Sequence, residues 1–261
     1  MAEVVKKRSP RFPFFSNLYY FIRLTGRWVI KQEKASRYYA MERLGNMFNP
    51  DFRFTEYGQV WRNDKKFEEY YTGFEGTNFH SLDRKYTVNQ FLQLVKHIPG
   101  DMAECGYYKG ATSYLICESI QNYRQPKQHH IFDSFEGLSR PVKADGSYWK
   151  EGNLSTSEEI CRANLAKFNF VHYYKGWIPG RFPEVKDLQF SFIHIDVDLY
   201  QPTLDSISFF YERLNKGGIM ICDDYGFEYC VGAKKAMDEF FTGKPEPVIM
   251  LTTGQSFIIK Q

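Results

Sequence analysis

Two apolar strands, each ending in a pair of aspartates, constrain the fold of this 261-residue chain more than any other feature. The run Phe190–Ile195 is β-branched and aromatic, as in a strand buried on both faces of a parallel sheet, and Asp196-Val197-Asp198 follows it. Residues 219–222 form a second such run and end in Asp223-Asp224. Parallel strands joined by a right-handed crossover present their carboxyl ends at one edge. Ligands bind at that edge in open α/β sheets.

A crossover helix is predicted between those two strands. Pro202 suits its first turn, and apolar residues recur at helical spacing as far as Leu214. The pair Gly217-Gly218 is then predicted to end the helix in a left-handed conformation.

The first half of the α/β region has the pattern of a nucleotide-binding unit. A short strand at Asp101–Cys105 is followed by a turn with Gly106 and Gly110 and then by a helical pattern. A second strand, residues 129–132, ends in Asp133, at a spacing that suits an acid accepting hydrogen bonds from ribose hydroxyls. A carboxylate at a strand end is as often a helix cap, but the preceding glycine turn favours the ligand role.

The remaining elements predict a mostly parallel sheet that finishes in a hairpin. A third strand at 170–174 leads to Trp177 at the same edge, where an indole covers an adenine face or packs in the core. One more helix is predicted at Val231–Phe241. The strands 247–251 and Ser256–Ile259 then pair as a hairpin, which inserts an antiparallel strand at the end of the α/β sheet.

The front of the chain differs from the rest in charge. Residues 1–50 carry ten Lys/Arg against three acids in a chain of net charge +3. The segment 1–10, with a basic arm at 6–10, precedes an aromatic, basic and helical pattern at 12–43. That pattern fits helices that pack on the main domain or on a second subunit better than helices on an anionic membrane surface. Residues 49–83 are irregular and predict a linker or an active-site cover, with one helix near 65–71.

Composition excludes several classes of protein. The chain has no recognisable nucleic-acid-binding motif, and no stretch of about 18 apolar residues that would span a membrane. Its five cysteines are odd in number and form no C-x-x-C pair, so we expect a reducing, cytoplasmic location without disulfides or structural zinc. The amino terminus lacks the pattern of a secretory signal.

Four ordered motifs resemble those of the macrocin-type (TylF-like) O-methyltransferases. They are PGDMAECG at 99–106, FDSFEGL at 132–138, HIDVDLY at 194–200 and DDY at 223–225. The resemblance covers residues 84–261 and implies a Rossmann-like class I methyltransferase domain with a seven-stranded sheet. Residues 1–83 would then be a helical extension that forms a lid and subunit contacts. The implied enzyme is metal-dependent and methylates sugar hydroxyls with S-adenosylmethionine.

The resemblance also implies which residues hold the cofactor. Glu104 and Gly106 would line its methionine part, Asp133 and Ser134 would hold its ribose, and Trp177 would lie near its adenine. Tyr108 is a further expected cofactor-binding residue.

Three carboxylates are the expected metal ligands. The family's ligands map to Asp196, Asp223 and Asp224, and carboxylate oxygens converging from two adjacent strand ends suit a hard cation such as Mg²⁺. The alternative is that these acids cap the helices that follow them. Two adjacent acids and a third from another strand exceed what one cap requires.

The general base is the point at which this chain departs from the family pattern. Sugar-modifying relatives carry a histidine in the loop after the second strand, whereas no histidine lies between His130 and His172 here. Asp196, His172 and Asp145 are the candidate substitutes. His194 lies within a strand and is interpreted as a core histidine.

Three functions are compatible with the sequence. The first is methyl transfer to a sugar or similar vicinal diol, with specificity in segments 49–83 and 139–155, by a chain that forms homo-oligomers. The second is the same chemistry on a catechol. The third is a non-catalytic module whose basic, aromatic front docks to a membrane or partner.

Overall fold

The computed structural model of the chain describes residues 13–48, 64–73 and 82–261. The predicted basic arm at 6–10 and most of the predicted cover at 49–83 lie outside the described residues. The chain divides into two compact units between Asp64 and Lys65.

Two helices make up the described part of the first unit, up to Phe48. They are α1, Pro13–Lys31, and α2, Lys34–Phe48. The helices pack on each other, and Arg43 of α2 lies 3.3 Å from Asn17 of α1, from Nη1 to Oδ1. Helices are therefore present where the basic, aromatic pattern predicted them. Among the described helices of the chain, none combines the length and the hydrophobicity of a membrane span.

A seven-stranded sheet forms the centre of the second unit. Its strands in chain order are β1 (Asp101–Cys105), β2 (His129–Asp133), β3 (Val171–Lys175), β4 (Phe190–Ile195), β5 (Leu214–Cys222), β6 (Ile249–Met250) and β7 (Ser256–Ile259). Their spatial order is β3-β2-β1-β4-β5-β7-β6. Strands β1 to β5 pair in parallel, whereas β7 runs antiparallel to β5 and β6. The predicted α/β fold with an inserted antiparallel strand is confirmed.

Six helices from the described residues accompany the sheet. They are α3 (Lys65–Gly73), α4 (Leu82–Leu94), α5 (Ala111–Gln121), α6 (Glu158–Asn164), α7 (Tyr200–Tyr211) and α8 (Val231–Phe241). The short helix predicted near 65–71 is present as α3, and α8 has the predicted bounds. A hydrogen bond of 2.8 Å from the Tyr70 hydroxyl to the carbonyl of Ala111 joins α3 to the start of α5.

The glycines at 217 and 218 lie inside β5 rather than at the end of α7. Leu214 is the first residue of β5, where it is buried and pairs with Phe190. The register between β4 and β5 shifts after this pair, and Gly217, with a φ of +79°, lies in the resulting irregularity. The prediction that the helix continues to Leu214 and stops at these glycines is wrong, because pairing with Phe190 takes Leu214 into the sheet.

Aromatic rings fill the space between the sheet and α7. Phe210 of α7 makes edge-to-face contacts with Phe132, Phe182 and Phe190, with ring centroids 5.7, 5.0 and 5.1 Å apart. All four side chains are at most 2% exposed. Edge-to-face pairs add to the free energy of burial, and this cluster anchors the last turn of α7 against β2 and the start of β4.

We predict that Phe210→Ala lowers the free energy of unfolding by about 3–5 kcal/mol, because it removes a ring from a filled core and leaves a cavity. Urea unfolding followed by circular dichroism measures the change. Leu94→Ala is the control, since this side chain of α4 is 63% exposed; its loss should cost less than about 1 kcal/mol. Equal losses in the two variants would contradict the assignment of Phe210 to the core.

Candidate active site

A cavity of about 350 Å³ opens at the carboxyl edge of the sheet. This volume suits a small-molecule site. The segments that follow β1 to β5 supply much of its wall. All six predicted cofactor-binding residues line the cavity: Glu104, Gly106, Tyr108, Asp133, Ser134 and Trp177. Of the three predicted metal ligands, Asp196 and Asp224 line it, whereas Asp223 is fully buried beside it.

A close backbone approach fixes the turn between β1 and α5. Gly106 has a φ of +86°, and a Cβ atom there would lie 1.8 Å from the carbonyl oxygen of Asp196, so only glycine fits. Gly110 precedes α5 and provides no capping side chain, while Ala111 and Thr112 of the first turn line the cavity. The first amide groups of a helix attract negatively charged groups. This end of the cavity therefore fits the carboxylate of an amino-acid ligand.

Backbone amides hold the carboxylate of Asp133 in place. Its Oδ2 accepts a hydrogen bond of 2.6 Å from the amide of Tyr107, and its Oδ1 accepts one of 2.6 Å from Phe135. Each carboxylate oxygen has a second lone pair, so Asp133 keeps acceptor capacity toward the cavity. The hydroxyl of Ser134 bonds within its own loop: it donates to the carbonyl of Gly137 and accepts from the amide of Glu136, both at 3.0 Å.

Three more of the predicted cofactor residues differ in burial. Trp177 is 43% exposed and Tyr108 is 40% exposed, so part of each ring is accessible and not packed in the core. Glu104 is buried: its Oε2 accepts a hydrogen bond from Ser113, and its Oε1 lies 3.1 Å from Nδ1 of His194.

Acidic side chains crowd the other end of the cavity. Asp196, Asp198 and Asp224 all line it, and Oδ2 of Asp224 accepts a hydrogen bond of 2.8 Å from the amide of Asp198. Burial and the neighbouring charge of Asp196 raise the pKa of Asp198 to about 7. Burial also raises the pKa of Asp196 and of Asp224 above the usual range, and adjacent carboxylates add to the effect.

Asp223 differs from these acids because side chains of the protein neutralise it. Arg84 forms an ion pair with its Oδ2, and Gln255 donates a hydrogen bond of 2.6 Å to its Oδ1. Nε2 of His194 lies 3.3 Å from the same Oδ1. Burial alone would raise the pKa of Asp223, but Arg84 and His194 hold it well below its usual value. Burial would likewise lower the pKa of His194, whereas its bonds to Asp223 and Glu104 raise it to about 9.

The acid cluster fits a hard cation. Ligand atoms of His194, Asp196 and Asp223 lie within 4.8 Å of one another, as do those of Asp198, Asp224 and Cys230. Within the described part of the chain, the carboxylate of Asp196 accepts no hydrogen bond. Carboxylate oxygens facing a cavity are the ligands that Mg²⁺ prefers. Each group contains two carboxylates, Asp196 with Asp223 and Asp198 with Asp224, and of the predicted ligands Asp196 and Asp224 face the cavity.

Two candidate bases lie outside this cavity. His172 is exposed on β3, 2.9 Å from Oε1 of Gln128, and stacks on His130. Asp145 is 3% exposed, and its oxygens accept hydrogen bonds from the amides of Tyr200 and Val142 at 2.6 and 2.7 Å. Asp145 therefore holds the first residue of α7 in place. The structure gives neither side chain access to a substrate in the cavity, and of the three candidates Asp196 alone lines it.

Several lining residues were not predicted from the sequence. Arg84 and Lys85 at the start of α4 carry no sequence signal, because nothing in the sequence pairs them with acids more than 100 residues away. Asp198 follows the same strand as Asp196, so its place at the strand end was a usable signal. Its φ of +59°, uncommon for an aspartate, was not predictable from the sequence.

An aromatic wall rises beside the acids. Tyr148 and Tyr229 stack with ring centroids 4.1 Å apart, and Trp149 meets Tyr148 edge to face at 5.0 Å. All three line the cavity, and the two tyrosines are each more than half exposed. This side of the cavity suits the apolar faces of an acceptor molecule.

Comparison with known proteins gives a consistent family. The family model for macrocin-O-methyltransferase (TylF) matches residues 84–250, more than half of the chain. A Streptomyces olivaceus protein, 8-demethyl-8-(2,3-dimethoxy-alpha-L-rhamnosyl)-tetracenomycin-C 4'-O-methyltransferase, is 28% identical over 150 residues, or 52% of this chain. Demethyldecarbamoylnovobiocin O-methyltransferase of Streptomyces niveus is 27% identical over 174 residues, or 61% of this chain. The matches span 57% and 65% of those relatives' lengths.

Two solved structures share the fold. The O-methyltransferase NovP has a TM-score of 0.58 and 22% identity, over 70% of this chain and 83% of its own. The calicheamicin methyltransferase CalS11 has a TM-score of 0.62 and 15% identity, over 97% of this chain and 94% of its own. At these identities the likeness shows the fold alone.

We predict that Asp145→Ala lowers the free energy of unfolding by about 2–4 kcal/mol, because two buried amides lose their acceptor. Urea unfolding measures this loss. The control is Asp187→Ala, an exposed aspartate in the same unit, which should change stability by no more than about 0.5 kcal/mol. Unchanged stability of the Asp145 variant would contradict its structural role.

Proposed function

The chain belongs to the macrocin-O-methyltransferase (TylF) family, and we propose that it transfers a methyl group from S-adenosylmethionine to a hydroxyl of a sugar, glycoside or similar vicinal diol. One observation carries the proposal. One cavity is lined both by the six predicted cofactor residues and by the carboxylates of Asp196, Asp198 and Asp224. The relatives from S. olivaceus and S. niveus, by their names, methylate a rhamnosyl tetracenomycin and demethyldecarbamoylnovobiocin.

The proposed cofactor pose follows the chemistry of the lining groups. Asp133, fixed by two amides, would accept hydrogen bonds from the ribose hydroxyls. Glu104 would accept from the ammonium of the methionine part, and the start of α5 would face its carboxylate. The exposed rings of Trp177 and Tyr108 would cover the adenine. A cofactor held in this way would share the cavity with the carboxylates of Asp196 and Asp224.

The acid cluster would then prepare the acceptor. Asp196 and Asp224 would hold a divalent cation, with Asp223 behind them. When bound, such a cation lowers the pKa of a coordinated hydroxyl and orients it. Asp196 is also the candidate base that remains in the cavity. The aromatic wall of Tyr148, Trp149 and Tyr229 would exclude water and hold the acceptor for in-line attack.

Other features of the chain stay predictions. The basic, aromatic helices α1 and α2 are proposed to form subunit contacts in a homo-oligomer, with membrane contact as the alternative. A cytoplasmic location is also proposed, and the five cysteines of the chain are free and buried.

The test is methyl transfer by the purified chain with radiolabelled S-adenosylmethionine, against a panel of rhamnosides and catechols. We expect turnover of glycosides that a chelator abolishes and Mg²⁺ restores. Methylation of catechols alone would replace the sugar assignment by the catechol one. Turnover that resists chelation would remove the metal role.

We predict that Asp224→Asn lowers turnover at least about 100-fold, equivalent to about 2.7 kcal/mol of transition-state stabilisation. Its affinity for S-adenosylhomocysteine should stay within about threefold of the wild type, because Asp224 lies at the acid end of the cavity. Calorimetry measures the affinity. The control Asp205→Asn changes a partly exposed aspartate of α7 that does not line the cavity, and it should leave both properties unchanged. Normal turnover by Asp224→Asn would contradict the role of this carboxylate.

A further inference from the structure

One histidine joins the two ends of the cavity. His194 lies on β4, is fully buried, and pairs in register with Glu104 of β1 on one side and with Ile221 of β5 on the other. Its Nδ1 lies 3.1 Å from Oε1 of Glu104, and its Nε2 lies 3.3 Å from Oδ1 of Asp223. The imidazole ring of His194 therefore contacts both Glu104, a predicted cofactor residue, and Asp223, a predicted metal ligand.

Other side chains also bond to the two carboxylates that this ring contacts. On the cofactor side, Ser113 donates to Oε2 of Glu104 and lies 2.9 Å from Nε2 of His129. On the other side, Gln255 and Arg84 bind the two oxygens of Asp223. The result is a continuous chain of hydrogen bonds across the floor of the site. The ring of His194 therefore lies in direct contact with both carboxylates.

We propose that His194 is a positioning residue that couples cofactor binding at Glu104 to cation binding beside Asp223. The inference rests on the proposed function, since it takes both ligands from it. A cofactor ammonium that binds Glu104 fixes that carboxylate, and the ring then fixes Asp223 next to the cation ligands. The second ligand therefore meets a site that the first has already ordered, which is the thermodynamic basis of positive coupling.

Two amide substitutions separate the contacts of the ring. The side-chain NH₂ of asparagine is placed like Nδ1 of histidine, and that of glutamine is placed like Nε2. An amide also has an acceptor oxygen, so it cannot donate from both positions. His194→Asn keeps a donor toward Glu104 and loses the one toward Asp223. His194→Gln keeps the donor toward Asp223 and loses the one toward Glu104.

The experiment measures binding by calorimetry, with S-adenosylhomocysteine and Mg²⁺ titrated separately and then each in the presence of the other. In the wild type we expect each ligand to raise the affinity for the other at least about fivefold, the lower range of known couplings. His194→Gln should lower the affinity for S-adenosylhomocysteine about tenfold or more, and His194→Asn should lower the affinity for Mg²⁺ by a similar factor. Both variants should lose the coupling.

A matched control is available on β2. His130 is also buried, with Nδ1 2.9 Å from the hydroxyl of Tyr174 and Nε2 3.1 Å from Oδ2 of Asp101, but it does not line the cavity. His130→Gln should reduce stability and leave both affinities and their coupling unchanged. A general loss of packing would lower both affinities equally. If His194→Asn and His194→Gln each lower the affinities for both ligands by the same factor, the positioning role of His194 is overturned.

Binding to the wild type alone tests the inference if neither variant folds. Coupling of about fivefold or more supports it, and affinities that are independent within about twofold overturn it. A wild type that binds S-adenosylhomocysteine but no Mg²⁺ overturns the coupling and the metal role while the methyltransferase proposal stands. A wild type that binds neither ligand overturns the proposed function itself and the coupling with it.

Discussion

The close approach of Gly106 to the backbone of Asp196 is the constraint on which the site depends. It is possible because β1 and β4 are neighbours in the sheet, with the amide of Asp196 bonded at 2.9 Å to the carbonyl of Cys105. A side chain at position 106 would push the two strand ends apart. The glycine turn proposed to receive the cofactor and the strand end that carries the acids therefore share one cavity.

Much of this arrangement was predictable from the sequence because it follows from parallel topology. Asp133, Asp196 and Asp224 meet at one edge in any sheet whose strands end where theirs do. The glycine at 106 was predictable from its place after a strand. What the sequence could not show is which acid is already satisfied. Asp145 has the residue type of a base, but it is buried away from the cavity and bonded to two backbone amides, and only coordinates reveal that position.

Contacts between distant segments account for the other differences. Leu214 has helical spacing with the apolar residues before it, and its pairing with Phe190 overrides that local pattern. Arg84 pairs with Asp223 across 139 positions, a separation that no short motif encodes. The interpretation of His194 as a core histidine identified its burial correctly. It missed that the buried neighbours on both sides are acids of the site.

The acids at the strand ends differ in how far other side chains of the protein compensate their charge. Arg84, His194 and Gln255 all bind Asp223, the innermost carboxylate, so the protein neutralises this acid without help. Asp196 and Asp224 face the cavity instead. Lys85, His194 and Arg84 offset only part of the effect of burial on the pKa of Asp196, and burial also raises the pKa of Asp224. A divalent cation bound as proposed would offset the cost of burying these two carboxylates, and it would enter from the cavity side, where the proposed acceptor hydroxyl would also lie.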